Sequence, residues 1–212
     1  MNDEQDDYSQ PDFYRFSQDS IWMAAQVAQW LSSNESAHDN LQLIDVGAGC
    51  GIIGLEILQI FPHFMELHLW EKNSKFLNHL EKNVKFMNPS RLSVKVEIVN
   101  KDFQEILQHL VWQESHFLIM VSNPPYFLEE NSRPSSDPDR QSSRQWGLSD
   151  WRRWWIFLES VMKRPKTELF FCYPLPMPQW WVELGGKNVL AKLELHAQLA
   201  QLGLWRCQGF KG

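Results

Sequence analysis

No apolar run in this chain of 212 residues approaches the roughly 18 consecutive residues that a membrane-spanning helix needs, so no membrane partner is expected. The basic start and apolar core of a secretory signal are missing too. The chain opens on Asp3, Glu4, Asp6 and Asp7, and nothing in it directs the protein out of the cytoplasm. Cysteine is scarce: Cys50, Cys172 and Cys207 are odd in number, far apart and without CxxC spacing. That excludes a disulfide framework and a zinc site and fits buried, reduced thiols. The seven histidines lie at no ligand spacing and none pairs with an obvious Ser or Cys nucleophile, so no metal is expected. Positive charge is in deficit overall, at a net −6, which argues mildly against a nucleic-acid partner. Internal repeats and low-complexity segments are absent.

What is present fits one domain. A hydrophobic content of 43% is enough for one well-buried core, and the length is short for two. Residues 1–12 read as a loose acidic arm, and residues 13–212 as the single domain. After Ser17-Gln18-Asp19-Ser20, a capping-type cluster, the spacing of Ile21, Ala24, Ala25, Ala28 and Leu31 predicts a helix. Leu41 to Val46 reads as a strand, and Gly47-Ala48-Gly49-Cys50-Gly51 turns it into a helix from Ile52 to about Ile60. Strand, glycine-rich turn and helix in that order begin a doubly wound α/β fold with a mostly parallel sheet. The glycines let the backbone approach a ligand, and the G-x-G-x-G spacing points to a nucleoside with an amino-acid tail rather than to a pyrophosphate.

A second strand, Glu66 to Trp70, ends in Glu71. This acid stands about twenty residues after the glycines, where it can accept hydrogen bonds from both ribose hydroxyls; a surface glutamate at a helix start would look the same. A helix from Ser74 to about Met87 and a strand from Val94 to Val99 follow. Asp102 then sits at a strand tip, either meeting an adenine amino group with Phe103 against the ring or simply capping a helix from Gln104 to about Trp112.

The apolar run from Phe117 to Val121 reads as a buried strand stopped by Ser122-Asn123-Pro124-Pro125-Tyr126, because Pro125 donates nothing to a ladder and forces Pro124 out of the helical region. Asn123 and Tyr126 are thereby held at the carboxyl edge of the sheet, where open α/β folds keep their ligands. The chemistry that suits them is methylation of a planar, weakly nucleophilic nitrogen. Its two N–H bonds need two acceptors, here the Asn123 carboxamide oxygen and the Pro124 carbonyl, and Tyr126 supplies a flat surface for a base. A rigid turn closing a strand would use the same tetrapeptide.

Residues 128–146 form a long segment rich in Ser, Pro, Asp and Arg, more often a binding loop than a passive connector. From Arg133 to Lys166 basic residues outnumber acids, which makes either a phosphate-contacting patch or a solvated helix face. Trp146, Trp151, Trp154 and Trp155 read mostly as core, with room for one or two exposed rings to stack on bases. A helix from Ser149 to about Lys163, a strand from Thr167 to Tyr173, a Pro-rich turn, a helix from about Asn188 to Leu202 and a strand from Leu204 to Phe210 complete the reading.

Together, Asp45-Val46-Gly47-Ala48-Gly49-Cys50-Gly51, Glu71, Asp102-Phe103 and Asn123-Pro124-Pro125-Tyr126 resemble the class I S-adenosylmethionine-dependent methyltransferases of the amino-methylating branch. Within it, Tyr14 to Ser20 and Tyr126-Phe127 with Arg140 and Ser143-Arg144 are most similar to the bacterial tRNA1(Val) adenine-37 N6-methyltransferase-like family. The resemblance implies a Rossmann-like fold with S-adenosylmethionine as cofactor and an RNA substrate, tRNA in particular. It implies that Gly47, Gly49 and Gly51, supported by Asp45, line the methionine end of the donor, that Glu71 holds the ribose, and that Asp102 and Phe103 hold the adenine. Ser17 and Asp19 would help close the donor pocket, Asn123 and Pro124, with Pro125 beside them, would grip the target amine, and Tyr126 would stack on the base. The chain ends about where the family's last strand starts, so an incomplete terminal hairpin is expected. Methylation of a protein glutamine, whose carboxamide has the same N–H₂ geometry, is the enzymatic alternative; a non-catalytic RNA-binding scaffold is the other.

Overall fold

The computed structural model describes residues 8–34, 40–87, 93–109, 116–128, 141, 145–184 and 192–209. Helix α1 (Gln18–Ser32) leads into β1 (Leu41–Val46), α2 (Ile52–Ile60), β2 (Glu66–Trp70), α3 (Leu77–Met87), β3 (Lys95–Val99), α4 (Phe103–His109) and β4 (Phe117–Ser122). Two short strands, β5 (Phe127–Leu128) and β6 (Gln145–Trp146), precede α5 (Leu148–Met162), β7 (Thr167–Pro174), α6 (Gln179–Leu184), β8 (Leu193–Leu199) and β9 (Leu202–Gln208). Seven strands make one sheet in the order β3-β2-β1-β4-β7-β9-β8, parallel except for β9, which runs antiparallel to both its neighbours. The strand order reverses between β1 and β4, which makes their carboxyl ends the topological switch point of the sheet.

Alternation along the central strands divides the core in two. Ile119 and Val121 of β4 and Phe170 and Cys172 of β7 face α1 and α2, whereas Leu118, Met120, Leu169, Phe171 and Tyr173 face α5 and α6. Both faces are covered, so β4 can be apolar without interruption, and each such side chain contributes about 1.5–3 kcal/mol by leaving water. The α5 face is built on aromatic rings: Trp151, Trp154 and Trp181 are fully buried. No helix among the described residues is long and apolar enough to cross a membrane.

The carboxyl-terminal expectations need correction. The terminal hairpin is complete, and residues 193–199, expected within a helix, are strand β8. Leu193, Leu195, Ala197 and Leu199 alternate with polar residues at the period of two that a strand requires, and the pairing with β9 shifts register between Leu195 and Ala197. The Pro-rich turn also holds a short helix, α6, which buries Trp181. At the other end, residues 1–7 of the expected arm lie outside the described residues. Residues 8 and 9 are held: the Tyr8 hydroxyl donates to Glu56, and the Ser9 N–H donates to Asn83 Oδ1 at 2.7 Å.

Candidate active site

A cleft with about 740 Å³ of empty space, its open mouth included, lies over the switch point. Gly47, Gly49, Glu71, Phe103, Asn123 and Pro125 line it, bringing together six of the residues singled out in the sequence. Tyr14, Trp70, Lys72, Asn73, Phe76, Lys101 and Trp146 complete the lining.

The glycine turn is shaped by conformation and by space. Gly47, Gly49 and Gly51 have φ of 73°, 55° and 82°, in the left-handed region that favours glycine. Gly51 does not line the cleft. It starts α2, and a Cβ there would stand 2.5 Å from Leu80 Cδ1, so its absence of a side chain lets α3 pack under the turn. Glu71 fastens the turn to the next strand: Oε2 accepts the Gly49 N–H at 2.8 Å and Oε1 accepts the Asn73 N–H at 2.7 Å. Burial raises the Glu71 carboxyl above its ordinary range, against the opposing pull of those two N–H donors. Each oxygen keeps a lone pair for a further donor, the arrangement a ribose diol would meet.

Asp45 lies beneath the turn rather than in the cleft. Its Oδ2 accepts the Gly54 N–H at 2.9 Å, tying α2 to β1, and its Oδ1 is buried without a partner. Burial pushes this carboxyl up to about 7 from 3.8, so between those values the folded protein retains a proton that the unfolded chain has lost. Stability contributed by Asp45 is therefore present at acid pH and lost as pH rises through that window. Thermal denaturation of wild type and Asp45→Asn from pH 4 to 8 is expected to show the variant gaining relative stability up to about pH 7 and then levelling off.

Asp102 adopts the capping alternative. Its Oδ1 accepts the Gln104 N–H at 3.0 Å and pairs with Arg153 Nη2 at 2.7 Å, while its neighbours Lys101 and Phe103 line the cleft. Ser17 and Asp19 hydrogen-bond each other at 3.0 Å at the start of α1, outside the lining. Ser20 instead reaches the acceptor side, where Asn123 Nδ2 donates to its Oγ at 3.4 Å. Pro124 is buried behind Pro125. Tyr126 is folded back against the α1 face of the core, and its hydroxyl donates to Asn123 Oδ1, the same oxygen expected to grip a target amine.

Of the basic segment from 133 to 166, Arg133, Arg140 and Arg144 lie outside the described residues, and Arg153 is committed to Asp102 and Asp150. Among the described residues, the cations lining the cleft are Lys72 and Lys101, both exposed, on adjacent loops. Asn100 ties those loops together by donating to the carbonyls of Glu71 at 2.7 Å and Lys72 at 3.1 Å. Single-sequence reading missed them because an isolated lysine carries no periodicity or motif. Tyr14 and Phe76 are in edge contact at 5.2 Å; Tyr14 was legible as the start of the stretch that carries the family resemblance, Phe76 only as a residue of the helix read from Ser74.

Residues 15–135 match the methyltransferase small domain family. A tRNA1(Val) (adenine(37)-N6)-methyltransferase of Tolumonas auensis is 26% identical over 109 residues, which are 51% of this chain and 41% of that relative, so the match spans under half of that relative's length. Among solved structures, the hMettl16 catalytic domain in complex with the MAT2A 3′UTR hairpin 6 superposes with a TM-score of 0.64 at 13% identity, covering 96% of this chain and 76% of that one. The T. thermophilus 16S rRNA N2 G1207 methyltransferase RsmC, in complex with AdoMet and guanosine, gives 0.59 at 16% identity over 92% and 44%. At such identities the structural likeness speaks for the fold, whereas the family match covers more than half of the chain. A cleft over the switch point, left-handed glycines that open the backbone to a ligand, and a buried carboxylate with lone pairs to spare fit S-adenosylmethionine, and the chain belongs to the methyltransferase small domain family of S-adenosylmethionine-dependent enzymes.

Proposed function

We propose that this protein is an N6-adenine methyltransferase acting on RNA, with tRNA as the substrate class. The observation that carries the reading is Asn123 at the wall of the donor cleft, with Pro125 lining beside it and the Tyr126 ring adjacent. S-adenosylmethionine supplies an electrophilic methyl group on a sulfonium. The chain has to hold an exocyclic amine in line with that methyl, which two acceptors on the N–H bonds and a ring against the base accomplish without a strong general base. An unpaired loop adenosine costs less to extrude than a base in a duplex. Lys72 and Lys101 at the same cleft give a chain of net charge −6 a local cationic surface, which suits phosphates better than a protein side chain. The tRNA and hairpin RNA named for the two relatives favour the same class.

The direct test is transfer of labelled methyl from S-adenosylmethionine to separate pools of unmodified tRNA and of protein, followed by nucleoside analysis. N6-methyladenosine in the tRNA pool supports the reading. Label confined to protein glutamine replaces it, and donor binding without transfer points to a scaffold.

Tyr126 offers a finer test. Its hydroxyl takes one of the two lone pairs of Asn123 Oδ1 and leaves the other for an incoming amine. Tyr126→Phe keeps the ring and removes the shared donor, and is expected to shift KM for RNA by no more than about tenfold, the worth of one net hydrogen bond, with kcat little changed. Tyr126→Ala also removes the stacking surface and is expected to raise KM by about tenfold or more.

A further inference from the structure

Trp146 has no part in the reading above. It stands in β6, at the far end of the segment that follows the acceptor motif, and β6 pairs in parallel with β5, which begins directly after Tyr126. The ring lines the donor cleft together with Phe103 and Pro125. Two fully buried rings of α5 hold it from behind: Trp151 at 5.0 Å and 71°, and Trp154 at 5.9 Å and 57°. Phe103 lies 6.4 Å away at only 31°, so the two cleft rings are closer to parallel than to edge-on. Phe103 is itself fixed, edge-on to Trp154 and Phe157 and beneath the Arg153 guanidinium at 5.8 Å. Asp102, the polar group expected to meet an adenine here, is engaged by Arg153 and by the start of α4. Among the described residues, Phe103 and Trp146 are the rings that line this side of the cleft.

We infer that Trp146 is a binding residue for the adenine of S-adenosylmethionine, forming with Phe103 the wall against which the base lies. The chain between the acceptor motif and α5 thus serves both sites, with Tyr126 at one end and Trp146 at the other. Trp146 is a rigid ring already packed on its outer side, so it offers a flat apolar surface with little ordering left to lose on binding.

This inference rests on the donor alone and is tested without any acceptor, so it stands or falls apart from the RNA reading. Calorimetric titration would compare S-adenosylhomocysteine with 5′-methylthioadenosine, which lacks the amino-acid tail. Trp146→Leu keeps apolar bulk and loses the ring; it is expected to weaken both ligands by about tenfold or more, the loss typical of a stacked base deprived of its aromatic partner. Trp146→Phe is expected to stay within about threefold of wild type. Trp180→Ala, which touches Trp151 at 6.0 Å from outside the cleft, controls for loosening of the aromatic core and should bind as wild type. Wild-type affinity in Trp146→Leu, an equal loss in Trp180→Ala, or a loss for S-adenosylhomocysteine with none for methylthioadenosine each overturns the inference. The unaltered protein gives a second readout. In its saturated complex, proton NOEs from adenine H2 or H8 to the Trp146 indole are expected, and their absence alongside NOEs to Phe103 also overturns it.

Discussion

Replacing Asn123 by alanine is expected to reduce kcat for methyl transfer by about three orders of magnitude while leaving S-adenosylhomocysteine affinity within about threefold. Asn123 lines the cleft and its carboxamide faces both Ser20 and Tyr126, so its oxygen is a directed acceptor rather than a surface amide. On the proposed function the target nitrogen has a delocalised lone pair and reacts only when its N–H bonds are drawn into acceptors and its lone pair is aimed. Losing one acceptor removes aim and polarisation together. Asn123→Asp separates these contributions, because it restores an acceptor but puts a negative charge where a neutral amide stood; partial recovery is expected. Single-turnover transfer with saturating donor is the measurement, and an alanine variant with kcat near wild type would remove Asn123 from the reaction.

The second large effect falls on the donor. Glu71→Ala is expected to weaken S-adenosylhomocysteine binding by two orders of magnitude or more, about 3 kcal/mol for two hydrogen bonds to a charged acceptor. The same substitution orphans the N–H groups of Gly49 and Asn73, which Glu71 now satisfies at 2.8 and 2.7 Å, at a stability cost of about 1–3 kcal/mol each where they stay out of water. Glu71→Gln distinguishes the two losses. Its amide offers one oxygen, so one of the two N–H groups must face another donor, and its donor affinity should lie between wild type and alanine. Calorimetry and urea unfolding of the same samples check both arms; full donor affinity in the alanine variant would show that the ribose is held elsewhere.

Strands β1 and β4 were legible because they are short, largely apolar and closed by glycine or proline, signals that depend on neighbouring residues alone. Asn123, Glu71, Gly47 and Gly49 could be named for the same reason: each stands at a strand tip that its own segment defines. Asp102 was legible only as two alternatives, and its ion-pair partner, Arg153, lies 51 positions later in the chain and meets it through tertiary packing. Gly51 was recognised but its reason was not. Beside its positive φ, the Leu80 methyl crowds the position, on a helix whose approach no local pattern reveals. Strand β8 was misread although its apolar residues alternate, because a seven-residue edge strand whose Leu195 and Leu199 stay exposed offers no buried run to recognise. Trp146 drew notice only as one of four tryptophans in its stretch, and its distinction is that it borders the cleft where Trp151, Trp154 and Trp155 fill the core.

The strand order also bears on how the cleft comes into being. A chain emerging from the ribosome offers the residues of β1 to β4, and with them the glycine turn, Glu71, Phe103 and Asn123, before Trp146 and Arg153 have left the tunnel. The glycine turn, Glu71 and Phe103 are thus encoded ahead of Trp146 and of the ion pair that steadies Asp102. During synthesis Trp146 is the last of these cleft residues to arrive, and a ribosome-bound chain paused before residue 146 would carry the glycine turn, Glu71 and half of the aromatic pair without it.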